Sequence, residues 1–209
     1  MASIAISLER WGAKLFPRRG IIWGVLGLMI FLLAHPHYPL FSWGIALTCL
    51  GEGLRIWGVG YIKNYRGPMQ EAERLTTAGP YAYLRNPLYL ANGIIGTGIA
   101  IISGLWWSII LFWLAFYLLY FPIIRAEESF LENKFGESYK TYAREVPRFF
   151  PQLSPYPERN GTFSWRAIEE KEIITLFTLG AAIFLLYLRG FGFLKMLNRL
   201  FLFFLLFIL

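Results

Sequence analysis

Apolar runs close to the length that crosses a bilayer recur along this chain, and nothing else narrows its folding options as much. A hydrocarbon core about 30 Å thick takes roughly 20 apolar residues as a helix. Lipid offers no partner to an open backbone, so helices or closed barrels are the only spanning structures. The runs cover 21–34, 40–62, 87–103, 105–124 and 173–188, and a sixth covers 197–209. They predict an all-α polytopic membrane protein with five to six membrane helices. The first run is short and stops at the breaker cluster His35-Pro36-His37-Tyr38-Pro39. The third and fourth are joined by almost nothing and form a helical hairpin. Arg18 and Arg19 before the first run also fit a signal peptide, but no small-x-small cleavage site follows. Upstream, Ile4, Leu8, Trp11 and Leu15 recur at helical spacing beside Arg10 and Lys14, as in a helix lying on a membrane surface. The chain divides into an interfacial helix (1–20), a membrane core (21–159) and a hydrophobic helical extension (160–209).

The net charge of +7 on a soluble protein would point to nucleic acid. Here the basic residues sit between apolar runs, so they read as topology signals and contacts to anionic membrane lipids, with no nucleic-acid partner. Arg10, Lys14, Arg18 and Arg19 precede the first run, Lys63, Arg66, Arg74 and Arg85 follow the second, and eight basic residues follow the fourth. The two intervening turns hold none, which puts the N-terminus and both large loops in the cytoplasm. Arg189, Lys195 and Arg199 break this pattern if the last two runs both cross. Either that hairpin is re-entrant or interfacial, or the early spans dictate topology despite it. The abundant aromatic residues suit bilayer interfaces and apolar cavities. The single cysteine, Cys49, excludes an internal disulfide and reads as a packed residue in mid-span. The only histidines, His35 and His37, exclude a histidine-rich metal centre, and no metal is expected. Gly93-Ile94-Ile95-Gly96-Thr97-Gly98 lies inside an apolar run with no strand before it, so it reads as helix packing, not a nucleotide fingerprint.

Two polar segments, 63–86 and 125–171, flank the hairpin and must meet at its mouth. The first ends Gly79-Pro80-Tyr81-Ala82-Tyr83-Leu84-Arg85-Asn86-Pro87-Leu88-Tyr89. Gly79-Pro80 marks a turn, Pro87 suits the first helical turn, and Asn86 is a natural N-cap. Such a helix start suits a carboxylate or phosphate. The second segment begins Arg125-Ala126-Glu127-Glu128 and runs through Phe135-Gly136, Tyr139 and Tyr142 to Val146-Pro147-Arg148-Phe149. Ile124, Leu131, Phe135, Tyr139 and Tyr142 fall on one helical stripe, and Glu128 lies inside it. A carboxylate there calls for a cation: a bound group, or Arg125 one turn earlier. Within the second run, Glu52 and Arg55 stand at i,i+3 and are expected to pair with each other or with a ligand.

Together, Gly79-Pro80-Tyr81-x-Tyr83-x-Arg85-Asn86-Pro87-x-Tyr89 and Arg125-x-Glu127-Glu128-x-x-Leu131-x-x-x-Phe135-Gly136-x-x-Tyr139-x-x-Tyr142-x-x-x-Val146-Pro147 resemble the isoprenylcysteine carboxyl methyltransferase family and its phospholipid methyltransferase relatives, over about 45–151. The resemblance implies an S-adenosylmethionine pocket on the cytoplasmic side with a lipid-accessible tunnel beside it. It implies that Tyr81, Asn86, Pro87, Tyr89 and Glu128 bind the cofactor, and that Arg85, Arg125 and Glu127 serve catalysis. The acceptor would be lipophilic or prenylated, with carboxyl methylation favoured. Asn86 stands where members that methylate isoprenylcysteine typically carry His, and Arg125 lies at a different offset from the basic residue of eukaryotic members. An amine acceptor would require a base, and Glu127 is the candidate. Sterol and steroid reductases, which bind a nicotinamide cofactor, share the Tyr pair and Val-Pro ending but usually carry Asp-Glu where this chain has Glu-Glu. A non-catalytic membrane scaffold is the third reading, which Glu128 on an apolar stripe disfavours.

Overall fold

The computed structural model describes residues 11–12, 14–62 and 74–190, and all its regular structure is helical among them. A 3-10 turn, Phe16–Arg18, leads into α1 (Arg19–Leu33), followed by α2 (Leu40–Val59) and a second 3-10 turn, Gly79–Ala82. Then come α3 (Pro87–Ile102), α4 (Trp106–Phe135), α5 (Glu137–Glu145), α6 (Trp165–Lys171) and α7 (Ile173–Gly190). By length and composition, Phe16–Leu33, Trp106–Phe135 and Ile173–Gly190 are long and apolar enough to cross a membrane, and α3 is a shorter apolar helix. α2 has the length of a span, but Glu52, Arg55 and its glycines make it less apolar. Ile4, Leu8, Arg10, Lys63, Arg66, Lys195, Arg199 and the run 197–209 lie outside the described residues.

The bundle is built on α2 and α3, whose backbones nearly touch. A Cβ on Gly98 would lie 2.7 Å from the Gly44 carbonyl oxygen, and one on Gly44 2.6 Å from that of Gly98. Small residues buy this approach where burial of apolar surface against lipid yields no gain. The Gly93–Gly98 stretch therefore packs helices, and Gly93 admits Trp113 of α4 on its other side. The hairpin turn needs Gly104 at φ +72°, and the His35 amide donates to Ser103 O at 2.8 Å, tying the turns at this end together. Trp43 and Trp106, 72% and 76% exposed near the starts of α2 and α4, form an aromatic border there. Cys49 is exposed on the outside of α2, not packed as expected, because the glycine stripe takes the interior face.

At the opposite end α4 overruns its apolar stretch. Its 30 residues span about 45 Å, more than the hydrocarbon core, so its last turns carry Glu127 and Glu128 to the bundle's mouth. The helix ends where Gly136 adopts φ +54°. Most of the expected stripe holds: Leu131 and Phe135 pack with Tyr139 and Tyr142 of α5 against Ala82, Val146 and Tyr156, whereas Ile124 packs apart with Phe116, Tyr120 and Ile123. Beyond α5 the chain returns antiparallel to the first polar segment. Arg85 N donates to Pro147 O at 2.8 Å, Gln152 N to Tyr83 O at 3.0 Å, Tyr156 N to Ala82 O at 2.8 Å and Thr77 N to Asn160 O at 2.9 Å. α7 then runs back along the bundle. Arg189 reaches the end of α1, donating from Nε to Ala34 O at 2.7 Å and from Nη2 to Leu32 O at 2.6 Å. Its place outside the charge pattern thus has a structural reason, the capping of α1's last carbonyls.

Candidate functional site

Glu128 lies at the centre of the mouth, 9% exposed. Arg148 grips it with two nitrogens, Nε to Oε1 at 2.9 Å and Nη2 to Oε2 at 2.5 Å. Arg85 Nη1 stands 3.5 Å from Oε1, and Asn86 Nδ2 donates to the same oxygen at 3.5 Å and to Arg148 O at 3.3 Å. Asn86 does hold the N-cap position of α3, but its side chain serves Glu128 and Arg148 instead of capping. The cation that Glu128 needs is therefore Arg148, 20 residues downstream, rather than Arg125. Arg125 makes no ion pair with any described residue, yet lines the same cavity.

That cavity encloses about 350 Å³ and is bordered by Arg85, Arg125, Lys140, Arg144 and Arg148, by Glu128 and Glu132, and by Ser129, Tyr139 and Ala143. Its size falls in the range of small-molecule sites. Five basic side chains against two acidic ones leave it positively charged. The Arg85 Nε is buried without a hydrogen-bond partner among the described residues. Hydrogen bonding to Glu128 holds the Arg148 guanidinium above its ordinary pKa. Burial, with the Glu128 carboxylate nearby, pushes the Tyr139 hydroxyl up to about 12 against the Arg85 guanidinium. Burial also raises Tyr142, whose hydroxyl donates to Tyr81 O at 2.8 Å and so fixes the turn before Arg85.

Glu127 faces elsewhere. Successive helical residues point roughly 100° apart, and this one turns into the nest between α1, α3 and α4. Its Oε2 accepts the Tyr89 hydroxyl at 2.8 Å, and the Tyr89 ring stands edge-on to Tyr120 at 5.0 Å. Trp23 Nε1 completes the nest by donating to the Tyr120 hydroxyl at 2.9 Å. Of the residues expected in the site, Arg85, Arg125 and Glu128 share the cavity and Asn86 touches Glu128. Tyr81 and Pro87 are buried and do not line it, while Tyr89 and Glu127 form a separate pair on the apolar side. Sequence reasoning placed Tyr139 only on the apolar stripe and in the motif, and gave no site role to Arg148, Lys140 or Arg144. The need of Glu128 for a cation was a usable signal for Arg148, but Arg125 stood nearer in sequence. The expected pairing of Glu52 with Arg55 is not made: Arg55 Nε donates to Glu172 Oε2 at 2.8 Å, a partner supplied by the fold from 117 residues away.

Residues 40–138 match a family described as phospholipid methyltransferase. The chain is 39% identical to the cobalt-zinc-cadmium resistance protein CzcN of Cupriavidus metallidurans over 58% of its own length and 51% of that protein. It is 38% identical to the nickel-cobalt-cadmium resistance protein NccN of Alcaligenes xylosoxydans xylosoxydans, over 53% and 48% of the two chains. With the protein-S-isoprenylcysteine O-methyltransferase of Schizosaccharomyces pombe it shares 30% identity over 52% and 48%. The chain spans about half the length of these relatives. The family match takes in α2, α3 and α4 with both glutamates, and stops before Arg148.

Proposed function

Because residues 40–138 match the phospholipid methyltransferase family, we propose that this chain belongs to it and is an integral-membrane enzyme transferring a methyl group from S-adenosylmethionine to a lipophilic acceptor. Carboxyl methylation of an isoprenylcysteine-like or isoprenoid acid is the favoured reaction. The observation that carries the reading is the cationic cavity around Glu128 at the mouth of an apolar bundle. Its residues fit the cofactor: Arg85 and Arg125, the latter in no ion pair with a described residue, suit a carboxylate, and Glu132 with Ser129 suits an ammonium or hydroxyl groups. When bound, S-adenosylmethionine supplies an electrophilic methyl group. Glu128 then acts by holding Arg85 and Arg148 in place. The basic residues of the two large loops support a cytoplasmic position for this mouth.

In-line displacement needs alignment and the exclusion of water more than acid or base chemistry. A carboxylate acceptor is already ionised at neutral pH, and Arg125 would hold it electrostatically. One observation favours an amine acceptor as the second reading. Glu127, facing the apolar side and accepting the Tyr89 hydroxyl, is suited to take a proton from an amine. The metal-resistance names belong to two of the relatives. Among the described residues no three or more His, Cys, Asp or Glu side chains gather where one ion could be held, and the reading invokes no metal.

Calorimetric titration of the detergent-purified protein with S-adenosylmethionine and, separately, NADPH tests the proposal. Saturable binding of S-adenosylmethionine alone, weakened at least tenfold by Glu128→Gln, is expected. Binding of NADPH alone would move the chain to the reductases, and binding of neither would leave a scaffold.

A further inference from the structure

The outward side of α2 carries Trp43, Leu50 and Trp57, 72%, 64% and 41% exposed. Seven residues bring a helix back to nearly the same side, so the three form one stripe with a tryptophan at each end. The tryptophans stand two heptads apart, about 21 Å along the axis. Each is joined by a second tryptophan at its own level. Trp106 borders the Trp43 end, where the His35 amide donates to Ser103 O. At the Trp57 end, Ser164 N donates to Gly60 O at 2.7 Å and brings Trp165, 70% exposed, beside the close of α2. Tryptophan side chains collect where hydrocarbon gives way to headgroups, so the two pairs mark two interfaces. Charged groups mark the same levels: Arg189 donates to Leu32 O and Ala34 O at one, and Glu172, between α6 and α7, accepts from Arg55 at the other.

The distance between those levels is short on every helix that runs between them. α7 carries no charged residue between Glu172 and Arg189, about 25 Å. α1 covers about 22 Å from Arg19 to Ala34 at its end. α4 is uncharged for about 28 Å, from Trp106 to Arg125, but its exposed large apolar side chains stop at Leu118, about 18 Å from Trp106. A typical hydrocarbon core is about 30 Å thick. Tilt cannot close the gap, because a tilted helix projects a shorter length on the bilayer normal. A hydrophobic surface shorter than the core leaves its polar borders against acyl chains unless the bilayer thins. We propose that the lipid-facing surface of this bundle fits a hydrocarbon core of about 21–25 Å, so that the protein partners lipids with short acyl chains and thins a longer-chain bilayer around itself. The inference rests on the reading that these helices cross the membrane and on nothing about methyl transfer.

Two measurements on the full chain test it. In vesicles of dimyristoleoyl, dioleoyl and dierucoyl phosphatidylcholine, the thermal unfolding midpoint should be highest in the shortest lipid and fall by at least about 3 °C to the longest. A midpoint that is flat or rises with chain length overturns the proposal. Nitroxide labels read the borders directly: one on Cys49, exposed near the middle of α2, and one each on Trp43→Cys and Trp57→Cys in a Cys49→Ala background. In dimyristoleoyl vesicles the Cys49 label should meet oxygen more readily than a water-soluble nickel chelate, and both border labels the reverse. Border labels that prefer oxygen there would overturn the thin fit and leave the membrane reading intact. A Cys49 label that prefers the chelate takes α2 out of the membrane, and one that meets neither reagent seats another protein chain on this face. Both overturn the proposal, the first together with the membrane reading. If a border variant does not fold, the melting series decides alone.

Discussion

Glu127 and Glu128 are neighbours in sequence and strangers in the fold. Helical geometry alone sends one to Tyr89 and the other to Arg148. Removing the partner of a buried ion pair typically costs about 3–5 kcal/mol. Arg148 keeps 32% of its side chain exposed, so Arg148→Ala should cost somewhat less, about 2–3 kcal/mol. Chemical denaturation of wild type and variant in one detergent checks this, and the variant should also lose S-adenosylmethionine affinity by tenfold or more. Tyr139 carries a pH prediction. Its folded pKa of about 12 lies above the value of about 10 expected when unfolded, so the fold retains the proton more tightly. The stabilisation is complete below about pH 10 and is lost as pH rises toward 12. Melting midpoints across this range should fall less steeply for Tyr139→Phe. Glu128 was legible as a residue needing a cation, but which cation was not, because the chain meets itself there across a turn that no periodicity encodes.

Among the elements, the stretch beyond residue 124 is helical as its stripe implied, but Gly136 divides it between α4 and α5. The apolar run of α4 ends near residue 124, yet the helix continues to Phe135, because nothing in the polar stretch breaks it until Gly136. Gly136 at φ +54° lets α5 fold back so that Tyr139 and Tyr142 meet Ala82 and Val146. A Cβ at Gly136 would meet no atom within 4 Å, so Gly136→Ala tests backbone conformation alone. It should destabilise by about 1–2 kcal/mol, the cost of a left-handed conformation for a residue with a Cβ. Equilibrium unfolding checks this, and S-adenosylmethionine affinity should fall because Tyr139 and Lys140 border the cavity. The glycines of α2 and α3 carry a different message, legible as a small-residue pattern, whereas the interhelical partner of each glycine was not.

Across the described molecule, three of the contacts made from residue 160 onward join that stretch to the core at different levels. Asn160 N donates to Thr77 Oγ1 at 2.8 Å, Glu172 accepts from Arg55, and Arg189 caps α1. Deleting 160–209 removes all three and leaves Arg55 a charge without Glu172 inside the bundle. The truncated protein is expected to unfold at a lower temperature. Arg55→Met in the truncated background should recover part of the loss, because an apolar side chain leaves no charge to be matched. Thermal melts of the full chain, the truncation and the truncation with Arg55→Met decide it.

Composition and the spacing of apolar runs were enough to establish a helical membrane protein, its hairpin, and the two polar segments that had to meet. These follow from the bilayer's demand that each spanning segment satisfy its own backbone, which is a local property of the chain. The tertiary structure alone decided that Arg148 holds Glu128, that Glu172 holds Arg55, that Glu127 turns away from the cavity, and that Arg189 caps α1. Each of these pairs joins or separates side chains by the packing of distant elements, and a charge in an apolar bundle takes whichever partner that packing brings within reach.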